Sequence, residues 1–242
     1  MNQQTESLTM YDHLEELRRR LILILITVGA TSIFSFTFSD RLLEFVVAPI
    51  ERSVDLLYFF SPHEAFMTKM KLSLVSGIIL SLPVIFFQLW GFVSPGLYSS
   101  EKRKVLPLVF LSTGLFLLGI AFAYYGIVPF ALNFFLNFQT DFLVPLISIG
   151  SYISFFLSLI LVFGVIFEVP VILVGLIALG VIKTQFLSAQ RKVAVVLIFI
   201  SAAILTPTVD LVTQLMLALP LWVLFELSIW IGRQIEKKGA HS

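Results

Sequence analysis

The chain of 242 residues is 58% hydrophobic and only 13% charged, with a mean hydropathy of +1.00 and a formal net charge of +1. Soluble domains carry about 25% charged residues and about 45–50% apolar ones, and a chain of this length folded in water would still expose most of its outer layer. An ordinary soluble globular protein is therefore excluded. The lack of cysteine excludes disulfides and thiolate chemistry, and the three histidines (His13, His63, His241) lie too far apart in sequence to suggest a metal site.

In chain order, the first 17 residues are polar and mixed in charge. No small-residue cleavage site follows the first apolar run, so that run reads as a retained span rather than a leader. A helix needs about 20 apolar residues to cross the hydrocarbon core. Six stretches meet or approach this: 21–38, 72–93, 105–130, 153–179, 193–205 and 211–231. The predicted fold is an all-α integral membrane protein, a single membrane domain over 1–242 with six transmembrane helices and tails at 1–20 and 232–242. The fifth span is short, reaching about 20 Å at about 1.5 Å per residue. The polar turn Thr206-Pro207-Thr208-Val209-Asp210 should fold it against the sixth as a hairpin. In the first loop between spans, Leu43, Val47, Ile50, Val54 and Leu57 recur at helical spacing. Pro49 is predicted to divide this segment into two short amphipathic helices on the outer surface. Pro83, Pro107, Pro129, Pro170 and Pro220 lie in or beside spans, where they kink helices and favour a concave bundle.

Four groups of three cations fall on one side of the membrane: Arg18, Arg19, Arg20; Lys102, Arg103, Lys104; Lys183, Arg191, Lys192; and Arg233, Lys237, Lys238. They hold twelve of the sixteen basic residues. The rule that positive loops stay inside predicts that both termini are cytoplasmic.

A carboxylate at the bilayer centre costs about 2.5–3.5 kcal/mol on insertion scales, so Glu168, in the middle of the fourth span, must face a partner, a cavity or water. A structural pairing, for instance with Gln88 on the second span, and a functional role stand equal here. Glu226 lies near the cytoplasmic end of the last span and reads as structural. Asp210 and Gln214 are one turn apart at its outer start, where an Asp can simply cap the helix. Glu15 and Glu16 precede Arg18-Arg19-Arg20, and Glu101 precedes Lys102-Arg103-Lys104. From composition alone these read as solvated ion pairs of little energy. No phosphate loop, zinc-protease helix or nucleophile elbow is present, so no enzyme is expected.

Five segments in register carry a resemblance. They are His13-Leu14-Glu15-Glu16-Leu17-Arg18-Arg19-Arg20-Leu21; Ser61-Pro62-His63-Glu64-Ala65-Phe66; Phe92-Val93-Ser94-Pro95-Gly96-Leu97-Tyr98 leading to Glu101-Lys102-Arg103; Phe163-Gly164 with Phe167-Glu168-Val169-Pro170; and Leu219-Pro220 with Phe225-Glu226. Over essentially its whole length the chain resembles the TatC family, the multispanning receptors of the twin-arginine protein translocase. Thr208-Val209 in the outer turn, Lys183-Thr184 without a following proline, and Gly96 in place of alanine depart from the family pattern.

The resemblance implies a substrate: folded precursors whose signal peptide carries two consecutive arginines. It selects Glu16 and Glu101 as the acceptors, with Arg18 holding Glu16 and with Lys102 and Arg103 keeping Glu101 ionised. A carboxylate takes a guanidinium through two parallel hydrogen bonds that lysine cannot reproduce. It also implies a multimeric complex with single-span TatA-type and TatB-type subunits in a bacterial cytoplasmic membrane. Export would be driven by the proton gradient, with no cofactor, metal or nucleic acid. Glu168, Gln88, Phe92, Asp210, Gln214 and Pro49 are the candidate partner or groove residues. A secondary transporter or proton-coupled channel using Glu168 is the rival reading, although the spans show no internal repeat. A passive scaffold is a second rival.

Overall fold

The computed structural model describes residues 10–51, 56–93, 105–138, 140, 145–178, 180–205 and 211–239. They form α1 (Met10–Phe36), α2 (Ser39–Glu51), α3 (Glu64–Val93), α4 (Val105–Phe122), α5 (Val128–Leu136), α6 (Ile149–Ile166), α7 (Val169–Ala178), α8 (Thr184–Ala189), α9 (Arg191–Leu205) and α10 (Leu211–Gly239). One π-helical turn, Ala123–Ile127, joins α4 to α5. Among the described residues five stretches are long and apolar enough to cross a membrane: His13–Phe36, Glu64–Phe92, Leu106–Leu136, Ile149–Ala178 and Leu211–Lys237. The predicted fifth span corresponds to α9, whose 15 residues rise only about 22 Å.

The helices extend beyond the apolar runs that announce them. α1 starts at Met10, so the charged segment 13–20 is helix continuous with the first span. α3 starts at Glu64, and α10 carries Arg233 and Lys237 on the same helix as the last span.

Proline acts differently at each position. Pro83 and Pro220 lie inside unbroken helices. Before Pro129 the backbone widens into the π turn, and the Val128 N–H reaches back to the Ala123 carbonyl. Before Pro170, whose ring removes a donor, the helix breaks at Phe167-Glu168 and restarts as α7. Pro49 does not divide its segment as predicted: α2 runs through it to Glu51, and residues 56 and 57 are not helical. The carbonyl that Pro49 cannot serve, four residues back at Phe45, accepts instead from the Tyr124 hydroxyl at 2.9 Å. The two rings stack at 4.5 Å. The next carbonyl, Val46, accepts from the buried Tyr152 hydroxyl at 2.7 Å. These outside donors let the last turn of α2 continue past the ring.

α6 forms the centre of the core, with Ile153, Phe156 and Phe163 essentially inaccessible. α4 meets it backbone to backbone, since a Cβ on Gly119 would lie 2.5 Å from the Phe163 carbonyl oxygen. α1 packs antiparallel along α3. His13 stacks on Phe92 at one end and Phe36 meets Phe66 edge-on at the other. Between them, a Cβ on Gly77 would stand 2.6 Å from the Ser32 nitrogen, and the Thr31 hydroxyl bonds the Gly77 carbonyl at 2.9 Å and Ser81 at 2.8 Å. Small residues that let backbones touch, with hydroxyls between them, are how membrane helices associate when water provides no drive.

Away from the arginine-rich end of α1 the loops are fastened. Tyr58 pairs with the strand-like stretch before α6, its N–H donating to Ile147 at 3.1 Å and its carbonyl accepting from Ile149 at 2.8 Å. Glu64 accepts from the Phe60 N–H (2.7 Å), the Gly150 N–H (2.9 Å) and the Ser148 hydroxyl. One carboxylate thus ties the start of α3 to the start of α6. Lys69 pairs with Asp40 of α2, and Lys71 donates to Ser154.

Candidate functional site

The start of α9 and the end of α10 lie together and carry Arg191, Lys192, Arg233 and Lys237, and the start of α1 lies against the end of α3 and carries Arg18, Arg19 and Arg20. Glu16 sits in this basic setting, about a quarter exposed. Arg20, one turn on, donates to Glu16 Oε1 from Nε at 2.9 Å and from Nη2 at 2.6 Å. From Nη1 it donates to Gln88 Oε1 at 3.0 Å and to the Gln88 carbonyl at 3.3 Å. A Cβ on Gly91 would come within 2.5 Å of Nη1, so the missing side chain there makes room for the guanidinium.

Two expectations are corrected. Arg20, not Arg18, holds Glu16. Residues i and i+4 share a helix face whereas i and i+2 do not, and Arg18 is exposed. Gln88 pairs with Arg20 rather than Glu168, because it belongs to the α3 stripe Gly77, Ser81, Gln88, Gly91 that faces α1. The stripe toward Glu168 runs one residue later, through Ile78, Leu82, Ile85, Leu89 and Phe92, a rotation of about 100°.

That second stripe forms one wall of a groove of about 590 Å³ between α3, α4, α6 and α7. Its lining is apolar except for Ser112 and Glu168. Glu168 stands at the α6–α7 break, 8% exposed, and its Oε1 takes no hydrogen bond from a described residue. Ser112 is the polar neighbour of the carboxyl and itself accepts from Trp90 Nε1 at 3.1 Å. The sequence singled out Glu168 by its cost in lipid. It missed Ser112 and Trp90, whose polar atoms carry no such signal. Phe92 both lines the groove and stacks on His13.

The remaining candidates separate. Gln214 donates to the Phe199 carbonyl at 3.0 Å and so ties α10 to α9. Pro49 lines a different cavity, about 540 Å³, with Tyr124, Tyr125 and Asn133. Glu226 pairs with Arg191, whose Nη2 donates to Oε2 at 2.8 Å while Nε lies 2.7 Å from Oε1, in keeping with its structural reading. Glu236, which the sequence did not single out, caps α8 by accepting from the Thr184 N–H at 2.9 Å and from its hydroxyl. Glu101, Lys102, Arg103 and Asp210 lie outside the described residues.

Comparison with known proteins fixes the family. The model of the Sec-independent protein translocase protein (TatC) matches residues 12–220. The chain belongs to the TatC family. It is 39% identical over 231 residues to the Sec-independent protein translocase protein TatC of Carboxydothermus hydrogenoformans, covering 96% of this chain and 95% of that one. It is 43% identical over 223 residues to the TatC of Helicobacter pylori strain J99, covering 92% and 88%. The chloroplastic TATC of Arabidopsis thaliana is 40% identical over 227 residues, covering 93% of this chain and 66% of the plant protein. A crystal structure of a twin arginine translocase receptor, TatC, superposes with a TM-score of 0.83 at 40% identity, covering 93% of this chain and 99% of that one. The family is a component of a protein translocase, and this member is a multi-pass membrane protein. The matched stretch contains Glu16, Arg20, Gln88, Glu101, Glu168 and Gln214. It leaves out Glu226 and Glu236, the two acidic residues that fasten the end of α10.

Proposed function

We propose that this protein is the receptor and core subunit of a twin-arginine translocase, and that it binds the twin-arginine signal peptide of folded precursors at its cytoplasmic face. The observation that carries the reading is the likeness, over nearly the whole of both chains, to a solved twin-arginine translocase receptor. Glu16 and Glu101 are the acceptors in this reading, with Arg18, Lys102 and Arg103 around them. The basic end is cytoplasmic, α9 and α10 form a hairpin that completes six spans, and the membrane is a bacterial inner membrane. TatA-type and TatB-type single-span subunits dock along the groove that carries Glu168, and the proton gradient drives export.

The deciding experiment is binding of a fluorescent twin-arginine signal peptide to the full-length protein in nanodiscs, against a twin-lysine control. Selective binding that Glu101→Ala abolishes and Glu16→Ala weakens is the expected result. Crosslinking of the peptide to Glu101→Ala at the wild-type level would remove that residue from the site. The buried, unbonded oxygen of Glu168 keeps the proton-coupled channel as a second reading. Gradient-dependent uptake of a small solute by the protein alone in liposomes would favour it.

A further inference from the structure

We propose that Arg20 is a built-in competitor for Glu16, a guanidinium that the incoming signal arginine must displace, and that this exchange sets the preference for arginine over lysine. The inference rests on the receptor reading above and adds to it a residue that determines specificity.

The geometry has two separable halves. Nε and Nη2 of Arg20 engage Glu16 Oε1, while Nη1 engages the side-chain and main-chain oxygens of Gln88. The Gln88 half is a formed seat: it lies on the α1-facing stripe of α3, and Gly91 leaves the space that the guanidinium fills. When the Glu16 half lets go, Arg20 keeps both Gln88 acceptors, so a partly buried cation is not left without partners. Glu16 is the half that can be given up, since it is an i,i+4 surface pair open to water on one side.

The electrostatics then act as a filter. With Arg20 in place, Glu16 carries no net attraction for a second cation. Both Arg20 bonds fall on Oε1, so a newcomer that engages both carboxylate oxygens has to take Oε1 from Arg20. A guanidinium can span Oε1 and Oε2 with two parallel N–H donors and so makes good what Arg20 gives up. An ammonium is a point charge without that planar fork and cannot balance the exchange. Selectivity arises by raising the cost of the wrong ligand, which is how recognition sites commonly discriminate between close analogues. Arg19 is exposed and has no seat of this kind among the described residues.

The test measures dissociation constants for fluorescent twin-arginine and twin-lysine signal peptides with the full-length protein in nanodiscs. Wild type, Arg20→Gln, Arg20→Lys, Arg19→Gln and Gly91→Ala are compared. Arg20→Gln is expected to tighten twin-lysine binding and narrow the discrimination by roughly tenfold, the scale of one charge-assisted hydrogen bond. Arg19→Gln, with the same change of charge, is expected to leave the discrimination unchanged, and Arg20→Lys to fall between. Gly91→Ala pushes Arg20 off its seat without changing charge and is expected to shift the ratio in the same direction. It carries the test alone if Arg20→Gln does not fold. Weaker binding of both peptides to folded Arg20→Gln would make Arg20 a support for Glu16 and overturn the proposal. Unchanged discrimination in Arg20→Gln or in Gly91→Ala would also overturn it. If wild type shows no preference for twin arginine, the receptor reading fails; selective wild-type binding with unaltered variants defeats this inference only.

Discussion

Single atoms decide several contacts in this protein. At Gly77 one missing methyl lets α3 touch the backbone of α1 at Ser32. Gly77→Val is expected to cost about 1–3 kcal/mol by overpacking, read as a lower denaturation midpoint in detergent, with Gly114→Val as a comparison because its Cβ meets nothing within 4 Å. At Tyr124 one hydroxyl serves the carbonyl that Pro49 leaves open. Tyr124→Phe keeps the ring stacked on Phe45 and is expected to cost about 1–3 kcal/mol for the unserved acceptor, measured the same way. The sequence discloses the charged partners unevenly at this scale. The spacing of Glu16 and Arg20 by one turn is visible in the sequence, yet three adjacent arginines disguise which one lies on the face of Glu16. The partner of Gln88 was not readable, because two stripes of α3 differ by a single residue and hydropathy cannot say which of them meets α1.

Elements were readable wherever lipid alone dictates them. Continuous apolar runs place the spans, since an unpaired backbone group is intolerable in hydrocarbon. Their ends were not readable, because the charged turns of α1 and α10 are kept helical by partners distant in sequence: His13 by Phe92, Glu236 by Thr184 and Arg233 by Ser188. The course of α2 escaped for the same reason, its proline being accommodated by tyrosines far along the chain. The length of α9 belongs to this scale too. At about 22 Å it is shorter than the about 30 Å hydrocarbon core, and in the six-span reading proposed above a membrane around it must thin or its flanks must reach outward. Inserting one turn of leucine in α9 is expected to preserve signal-peptide binding and to block export of a folded reporter. Unimpaired export would show that the short helix has no part in passage.

Across the whole molecule, the charged fastenings of Glu16 with Arg20 and of Glu64 with the start of α6 lie at opposite ends of α3. Glu64 makes the far fastening as an acceptor only. Glu64→Gln turns one of its oxygens into a donor facing N–H groups, and is expected to cost about 1–3 kcal/mol and to speed amide exchange at Ile149 and Gly150. Neither this fastening nor the groove can be inferred from local pattern, since each joins segments far apart in the chain. The close backbone contact of α1 with α3 has a mechanical consequence. Ring contacts at both ends and a glycine between them oppose sliding of these two helices past each other, and the pair is expected to move as a unit. α3 is 30 residues long, about 45 Å, with Gln88 near one tip and Glu64 at the other. In the receptor reading proposed above, a cargo pulling on Glu16 would load a lever whose opposite end grips the start of α6.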